Sequence, residues 1–101
     1  MRLILLGVLV LAFGGGLAGE AGAQSSISTF EHGVDRPGGD FSNIRSAGPN
    51  QCSTDCEEDA ECRAWTYVRP GVQAPSGRCW LKRSVPQKRT NRCCISGVMR
   101  R

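Results

Sequence analysis

Six cysteines constrain this chain more than any other feature, because all of them fall in the second half of a short sequence: Cys52, Cys56, Cys62, Cys79, Cys93 and Cys94. An even number of cysteines in a short exported chain predicts a disulfide framework. Zinc binding is the alternative. It has little support, because Cys52 and Cys56 are too widely spaced for a Cys-x-x-Cys knuckle and the single histidine, His32, is remote from them. We therefore expect disulfides, no bound metal and no cofactor.

The N-terminus has the pattern of a secretory signal peptide. Arg2 precedes the uncharged apolar run Leu3 to Phe13, and the small residues Ala21 to Ala23 precede Gln24. This pattern predicts that residues 1–23 are removed and that the product is secreted or periplasmic. An uncleaved membrane anchor is the alternative, but the uncharged stretch is glycine-rich at its distal end and falls short of the ~20 apolar residues that a membrane-spanning helix needs.

The remaining chain is short enough for one domain at most. A domain of this size buries only about 60% of the surface of its unfolded chain, so covalent crosslinks are commonly needed for stability. We divide it into a flexible polar leader at residues 24–29, a folded domain at residues 30–98 and a basic tail at residues 99–101.

Residue patterning within the domain predicts an α+β fold, with one helix packed on a small antiparallel sheet. The predicted elements are a strand at 41–45, a helix from Pro49 or Asn50 to Ala60, and strands at 62–68, 78–83 and 93–98. The segments 31–40, 70–77 and 84–92 are predicted to be loops or irregular. Cys52 and Cys56 are four residues apart, so both sulfurs can point from one face of the helix toward the sheet.

Charge is unevenly ordered along the sequence, which has a formal net charge of +4. Eight acidic residues lie between Glu31 and Glu61, whereas every charged residue from Arg63 onward is basic. A basic sheet and tail would suit an anionic partner such as a sulfated or phosphorylated glycan, a lipid headgroup or an acidic protein surface. The alternative is that these cations only keep a small exported protein soluble and pair with the acidic helix.

The residues offer little for catalysis. His32 is the single histidine, and we interpret it as an exposed loop residue, because a catalytic base needs a nucleophile and an orienting group converging on it. The acidic residues between Asp55 and Glu61 fit the solvated face and end of a helix better than a calcium loop, which would place oxygen ligands at alternating positions around a glycine. We predict that the protein is not an enzyme.

Three aromatic residues of the predicted sheet, Trp65, Tyr67 and Trp80, have two interpretations. They are core residues, or they form a stacking platform or a protein-binding hot spot. The core interpretation is favoured, because so small a domain must bury most of its large side chains.

Five segments in order resemble the bacterial branch of the PAN/apple domain family. They are the string from Gly33 to Phe41, Cys52-x-x-x-Cys56, the run from Cys62 to Val68, Cys79 to Lys82, and Cys93 to Val98. The resemblance implies a curved antiparallel sheet cradling one helix, with Cys52 paired to Cys79 and Cys56 paired to Cys62. The state of Cys93 and Cys94 stays open between a vicinal disulfide, exchange with the other four cysteines and pairing between chains.

We therefore expect a non-catalytic recognition module outside the cytoplasm that binds protein or carbohydrate, including an anionic glycan. We expect no nucleic acid partner and no stable membrane anchor. The alternative is a small structural or inhibitory envelope protein that docks to one protein partner. The predicted binding residues are Arg78, Trp80, Lys82, Arg83, Lys88, Arg89 and Arg92. If that basic surface serves only solubility, the alternative site is the glycine-rich segment from His32 to Asp40.

Overall fold

The computed structural model of the protein describes residues 27–101. The predicted signal peptide, its cleavage site and residues 24–26 of the predicted leader lie outside the described residues. The elements are β1 (Ile27–Ser28), β2 (Glu31–Asp35), β3 (Asp40–Arg45), α1 (Pro49–Glu57), β4 (Ala64–Val68), β5 (Arg78–Lys82) and β6 (Arg89–Arg100). No helix among them is long and apolar enough to span a membrane.

The strands form one antiparallel sheet in the order β1-β6-β4-β5-β3, with β2 also paired to β6. The long strand β6 holds the sheet together, because β4 pairs with its residues 94–98 while β2 and β1 pair with residues 89–96 and 99–100. The strands β4 and β5 lie in the centre, with β3 at the far edge.

The helix α1 packs on one face of this sheet. Pro49 is in its first turn, where the missing amide proton has no intrahelical role. Cys52 and Cys56 are fully buried, and they join a core cluster made by Cys62, Trp65, Tyr67, Cys79, Leu81, Ile95 and Met99. Burial of this apolar face on the sheet is the main source of stability for so short a helix.

Two disulfides tie the helix to its surroundings. The sulfurs of Cys52 and Cys79 are 2.03 Å apart, and those of Cys56 and Cys62 are 2.05 Å apart. This is the pairing that the resemblance implies. The α+β architecture of one helix on a curled antiparallel sheet, with disulfides between helix and sheet, is confirmed.

Three segments differ from their predictions at the edge of the sheet. Residues 31–35, predicted to be loop, form β2, and the predicted irregular segment 84–92 becomes strand from Arg89 onward, because β2 and β6 satisfy each other's backbone groups. The register shifts beside Gly33, whose φ of 72° suits a bulge. Ile27 and Ser28, predicted to belong to the leader, pair with the end of β6.

The predicted basic tail at residues 99–101 is also part of the fold. Met99 is buried in the core, and Arg101 Nη2 donates to the carbonyl oxygens of Cys56, Asp59 and Cys62 at 2.9–3.1 Å. Those carbonyls lie at and just beyond the C-terminal end of α1, where intrahelical donors run out. The terminal guanidinium therefore caps the helix.

Candidate ligand-binding pocket

The sheet has a second face, turned away from α1, that is built from alternate residues of the central strands. Cys79 and Leu81 of β5 belong to the core, so Trp80 and Lys82 point to the opposite side. On β4 the same alternation places Thr66 opposite Trp80. These two neighbouring strands therefore present polar and aromatic side chains on one surface.

A pocket of about 470 Å³ lies on this surface. Its walls come from the turn between β2 and β3, the central strands, the loop after β4 and the beginning of β6. The lining residues are Asp35, Pro37, Gly38, Asp40, Thr66, Val68, Val72, Gln73, Trp80, Lys82, Asn91, Cys93 and Cys94. The volume falls in the range of roughly 300–1,000 Å³ that is usual for small-molecule sites.

Trp80 is the large aromatic residue of the pocket, and it is only partly buried. Its indole Nε1 donates to Gln73 Oε1 at 2.9 Å, so the ring is oriented by the loop between β4 and β5. The amide nitrogen of Gln73 retains donors for a ligand. Of the three aromatics discussed above, Trp65 and Tyr67 are core residues, as predicted, and Trp80 is not.

Lys82 and Asp40 form an ion pair at the base of the pocket. Lys82 Nζ lies 2.5 Å from Asp40 Oδ1 and also donates to the carbonyl oxygen of Gly38 at 3.2 Å. The lysine side chain is 3% exposed. The prediction that Lys82 is an exposed cation of a basic surface is therefore wrong, because its charge is neutralised by a residue from a distant part of the chain.

Hydroxyl groups connect three strands beneath the pocket. Ser96 Oγ donates to the carbonyl oxygen of Val34 at 2.7 Å and lies 2.8 Å from Thr66 Oγ1. A serine hydroxyl has a single proton, so Thr66 must donate to Ser96. The arrangement joins β2, β6 and β4 through buried side chains.

Asp35, Cys93 and Cys94 meet at one wall. The carboxylate of Asp35 and the two sulfurs lie within 4.8 Å of one another, an arrangement that could hold a metal ion if the sulfurs were thiolates. The two sulfurs are bonded to each other in a vicinal disulfide, one of the three states left open by the sequence. In that state they act as an apolar wall beside the carboxylate.

The other predicted binding residues do not gather at the pocket. Arg78 donates to the side chain and backbone oxygens of Asn43 on β3. Arg83 pairs with Glu61 at 3.3 Å and lies over the ring of Phe41. Lys88, Arg89 and Arg92 are exposed, in the segment that leads into and begins β6. Only Trp80 and Lys82 of the predicted set line the pocket.

Part of the glycine-rich segment predicted as the alternative site does reach the pocket. Asp35, Pro37, Gly38 and Asp40 line one side of it, whereas His32 is exposed on β2 and does not. Gly39 has a φ of 73° in this turn, a conformation that favours glycine.

The ion pair between Arg36 and Glu31 holds the turn between β2 and β3 in place. Arg36 forms a bidentate ion pair with Glu31, in which Nε donates to Oε1 at 2.9 Å and Nη2 donates to Oε2 at 2.8 Å. Its Nη1 donates to the carbonyl oxygen of Pro86 at 2.6 Å. Hydrogen bonding to Arg36 holds the pKa of Glu31 below its usual range. The same bond raises the pKa of Arg36. The contact fixes the end of β2 against the segment before β6.

Sequence reasoning missed three polar residues of the pocket: Thr66, Gln73 and Asn91. They come from three separate segments. The alternation around Cys79 was the available signal, since a cysteine bonded to the helix identifies the core-facing positions of β5 and leaves Trp80 on the other face.

An α+β domain with a helix crosslinked to the sheet and a polar, aromatic pocket on the opposite face has the features of a small recognition domain. Residues 34–82 match the family model of the PAN domain, so the chain carries a domain of the PAN/apple family. PAN domains generally bind proteins or carbohydrates and are typically non-catalytic. The family and the disulfides point to an extracellular location. No curated protein matches the chain.

Proposed function

We propose that this protein is a non-catalytic recognition module that acts outside the cytoplasm and binds a carbohydrate in the pocket. The observation that carries the proposal is the position of Trp80. It is held partly exposed in a concave site with both polar and apolar lining residues, on the sheet face that the core does not use. An aromatic residue in such a place contributes stacking area to a ligand at little cost in conformational entropy.

The polar groups around Trp80 favour a sugar over an apolar ligand. The amides of Gln73 and Asn91 supply donors and acceptors from two sides, and the carboxylate of Asp35 supplies acceptors from a third. A ligand rich in hydroxyl groups satisfies such groups on binding, whereas an apolar ligand would leave them without partners.

The arrangement gives little support for catalysis. Asp40 and Lys82 are engaged with each other, and the Thr66 hydroxyl is engaged with Ser96. Within the described residues, no histidine lines the pocket to act as a base for a nucleophile. These engagements support binding as the proposed role.

Secretion is part of the proposal. The apolar run from Leu3 to Phe13 and the small residues before Gln24 support removal of residues 1–23 on export. Intact mass of the protein recovered outside the cytoplasm tests this directly. A mass that begins at Gln24 supports a released module, and a mass that retains the apolar run contradicts it.

A glycan array tests the proposed ligand class. The exported protein is compared with Trp80→Ala and with Val85→Ala, a matched control because Val85 is exposed and does not line the pocket. We expect the parent and the control to bind the same glycans, and Trp80→Ala to lose them while staying folded by circular dichroism. Recovery of one protein partner with no glycan bound would instead support the inhibitory alternative.

A further inference from the structure

The charge of the pocket is not what the basic sequence suggests. Its charged lining residues are Asp35, Asp40 and Lys82. The ion pair between Lys82 and Asp40 neutralises two of them. None of the ion pairs among residues 27–101 includes Asp35. Arg89 lies opposite Asp35 in the register of β2 and β6, but it does not line the pocket. Among the lining residues, Asp35 is therefore the charged group without an ion-pair partner.

An anionic ligand would be poorly accommodated here. It would approach the Asp35 carboxylate, with which no lining cation pairs, and Lys82 could contact it only by giving up bonds to Asp40 and the carbonyl of Gly38. Like charges brought together in a partly enclosed site repel each other and select against that ligand. A cation would instead pair with Asp35 and gain a favourable interaction with the indole of Trp80 if it lay over the ring.

The remaining groups restrict what kind of cation fits. The amides of Gln73 and Asn91 need hydrogen-bond partners when water is displaced. A lysine side chain brings only methylene groups behind its ammonium. A sugar that carries an amine brings hydroxyl groups as well, so it satisfies both the carboxylate and the amides.

We propose that the pocket recognises the protonated amine of an amino sugar, with Asp35 as the residue that determines specificity. This inference rests on the proposed carbohydrate-binding function. The ammonium pairs with the Asp35 carboxylate, and the sugar ring lies against Trp80. The vicinal disulfide of Cys93 and Cys94 forms the apolar wall next to the amine.

Two matched probes test the charge directly: a glucosamine tetrasaccharide with free amines and its fully N-acetylated counterpart. Calorimetric titration of the exported protein is expected to show at least tenfold tighter binding of the free-amine probe. Raising the pH until the sugar amine is neutral should abolish this preference. Equal affinity for the two probes would overturn the inference, whatever happens to any variant.

Asp35→Asn keeps the shape of the side chain and removes its charge. It is therefore expected to weaken binding of the free-amine probe at least tenfold and to leave the affinity for the acetylated probe unchanged. Lys88→Gln is the control, because Lys88 is exposed and does not line the pocket. Unchanged affinity of Asp35→Asn for the free-amine probe would overturn the inference.

If neutral glycans bind and Trp80→Ala loses them, the proposed function stands while the amine specificity fails. If no glycan binds, the proposed function itself fails.

Discussion

Trp65 and Trp80 lie on adjacent strands and point to opposite faces of the sheet. Trp65 is in register with Leu81, and Trp80 is in register with Thr66, so the two indoles are offset by one residue across the ladder. Trp65 is fully buried on the helix side of the sheet. The ring of Phe30 packs edge-on against it with the ring centroids 5.2 Å apart, and Ser28 Oγ accepts a hydrogen bond from the Trp65 indole at 2.8 Å. Trp80 faces the pocket. Trp65 therefore belongs to the core, while Trp80 is available to the proposed ligand.

The first prediction follows from this separation. Trp65→Ala should lower the free energy of unfolding by about 3–5 kcal/mol, because it leaves a large cavity in the core. Trp80→Ala should cost only about 1 kcal/mol, since the ring is partly exposed. Denaturant unfolding of both variants measures the difference. Equal losses would mean that Trp80 is a core residue and that the pocket lacks its aromatic wall.

The second prediction concerns Lys82, compared with Lys88. Lys82→Gln should lower the free energy of unfolding by about 1–3 kcal/mol, because it removes a buried cation and leaves the Asp40 carboxylate without its partner. Asp40 is 32% exposed, and solvent screening keeps the expected loss below that of a fully buried pair. Lys88→Gln should change stability by less than about 0.5 kcal/mol, as is usual for exposed positions. Thermal unfolding measures the stability of both variants. Equal stability of Lys82→Gln and Lys88→Gln would contradict the ion pair between Lys82 and Asp40.

The burial of Lys82 could not be predicted from the sequence. A lysine in a basic stretch is normally exposed, and nothing local indicates that Asp40 will lie beside it. The same holds for β2, since Gly33 interrupts its pattern and its partner strand begins at Arg89. By contrast, α1, β3, β4 and β5 were predictable, because their apolar periodicity and turn residues are local signals. Contacts between distant segments also determine the pocket, which is why Thr66, Gln73 and Asn91 were missed.

The third prediction is a pH dependence of stability at Glu31. Hydrogen bonding to Arg36 lowers the pKa of Glu31 from its ordinary value of 4.5, so the folded state binds its proton less tightly than the unfolded state does. The stabilisation is complete above pH 4.5 and is lost as the pH falls through the lower folded value. Parent and Glu31→Gln should therefore differ by about 1 kcal/mol at neutral pH and converge in acid.

A double-mutant cycle with Arg36→Gln checks that the effect belongs to this pair. At neutral pH Arg36→Gln should lose more stability than Glu31→Gln, because it also removes the hydrogen bond to Pro86, and the double variant should lose less than the sum of the two. Additive losses, or a difference between parent and Glu31→Gln that persists at low pH, would contradict the pairing.

The fourth prediction compares two disulfides. Replacing Cys52 and Cys79 by serine should lower the free energy of unfolding by about 2–5 kcal/mol, because their bridge closes a loop across 27 residues of sequence. Replacing Cys93 and Cys94 should have a much smaller effect on stability, since adjacent residues close no such loop, but it should weaken ligand binding by altering the pocket wall. Peptide mapping without reduction checks the connectivity, and a bond between Cys52 and Cys56 would contradict the fold.

The indole proton resonances test the central claim most directly, because the described chain contains two tryptophans with opposite roles. The exported protein, labelled with nitrogen-15, is titrated with the glycan that binds most tightly on the array, and Trp80→Phe assigns the two indole signals. We predict that the Trp80 indole signal shifts with saturation while the Trp65 signal stays in place. A shift confined to backbone signals of residues 88–92, with the Trp80 indole unmoved, would place the ligand on the exposed basic segment and contradict the pocket.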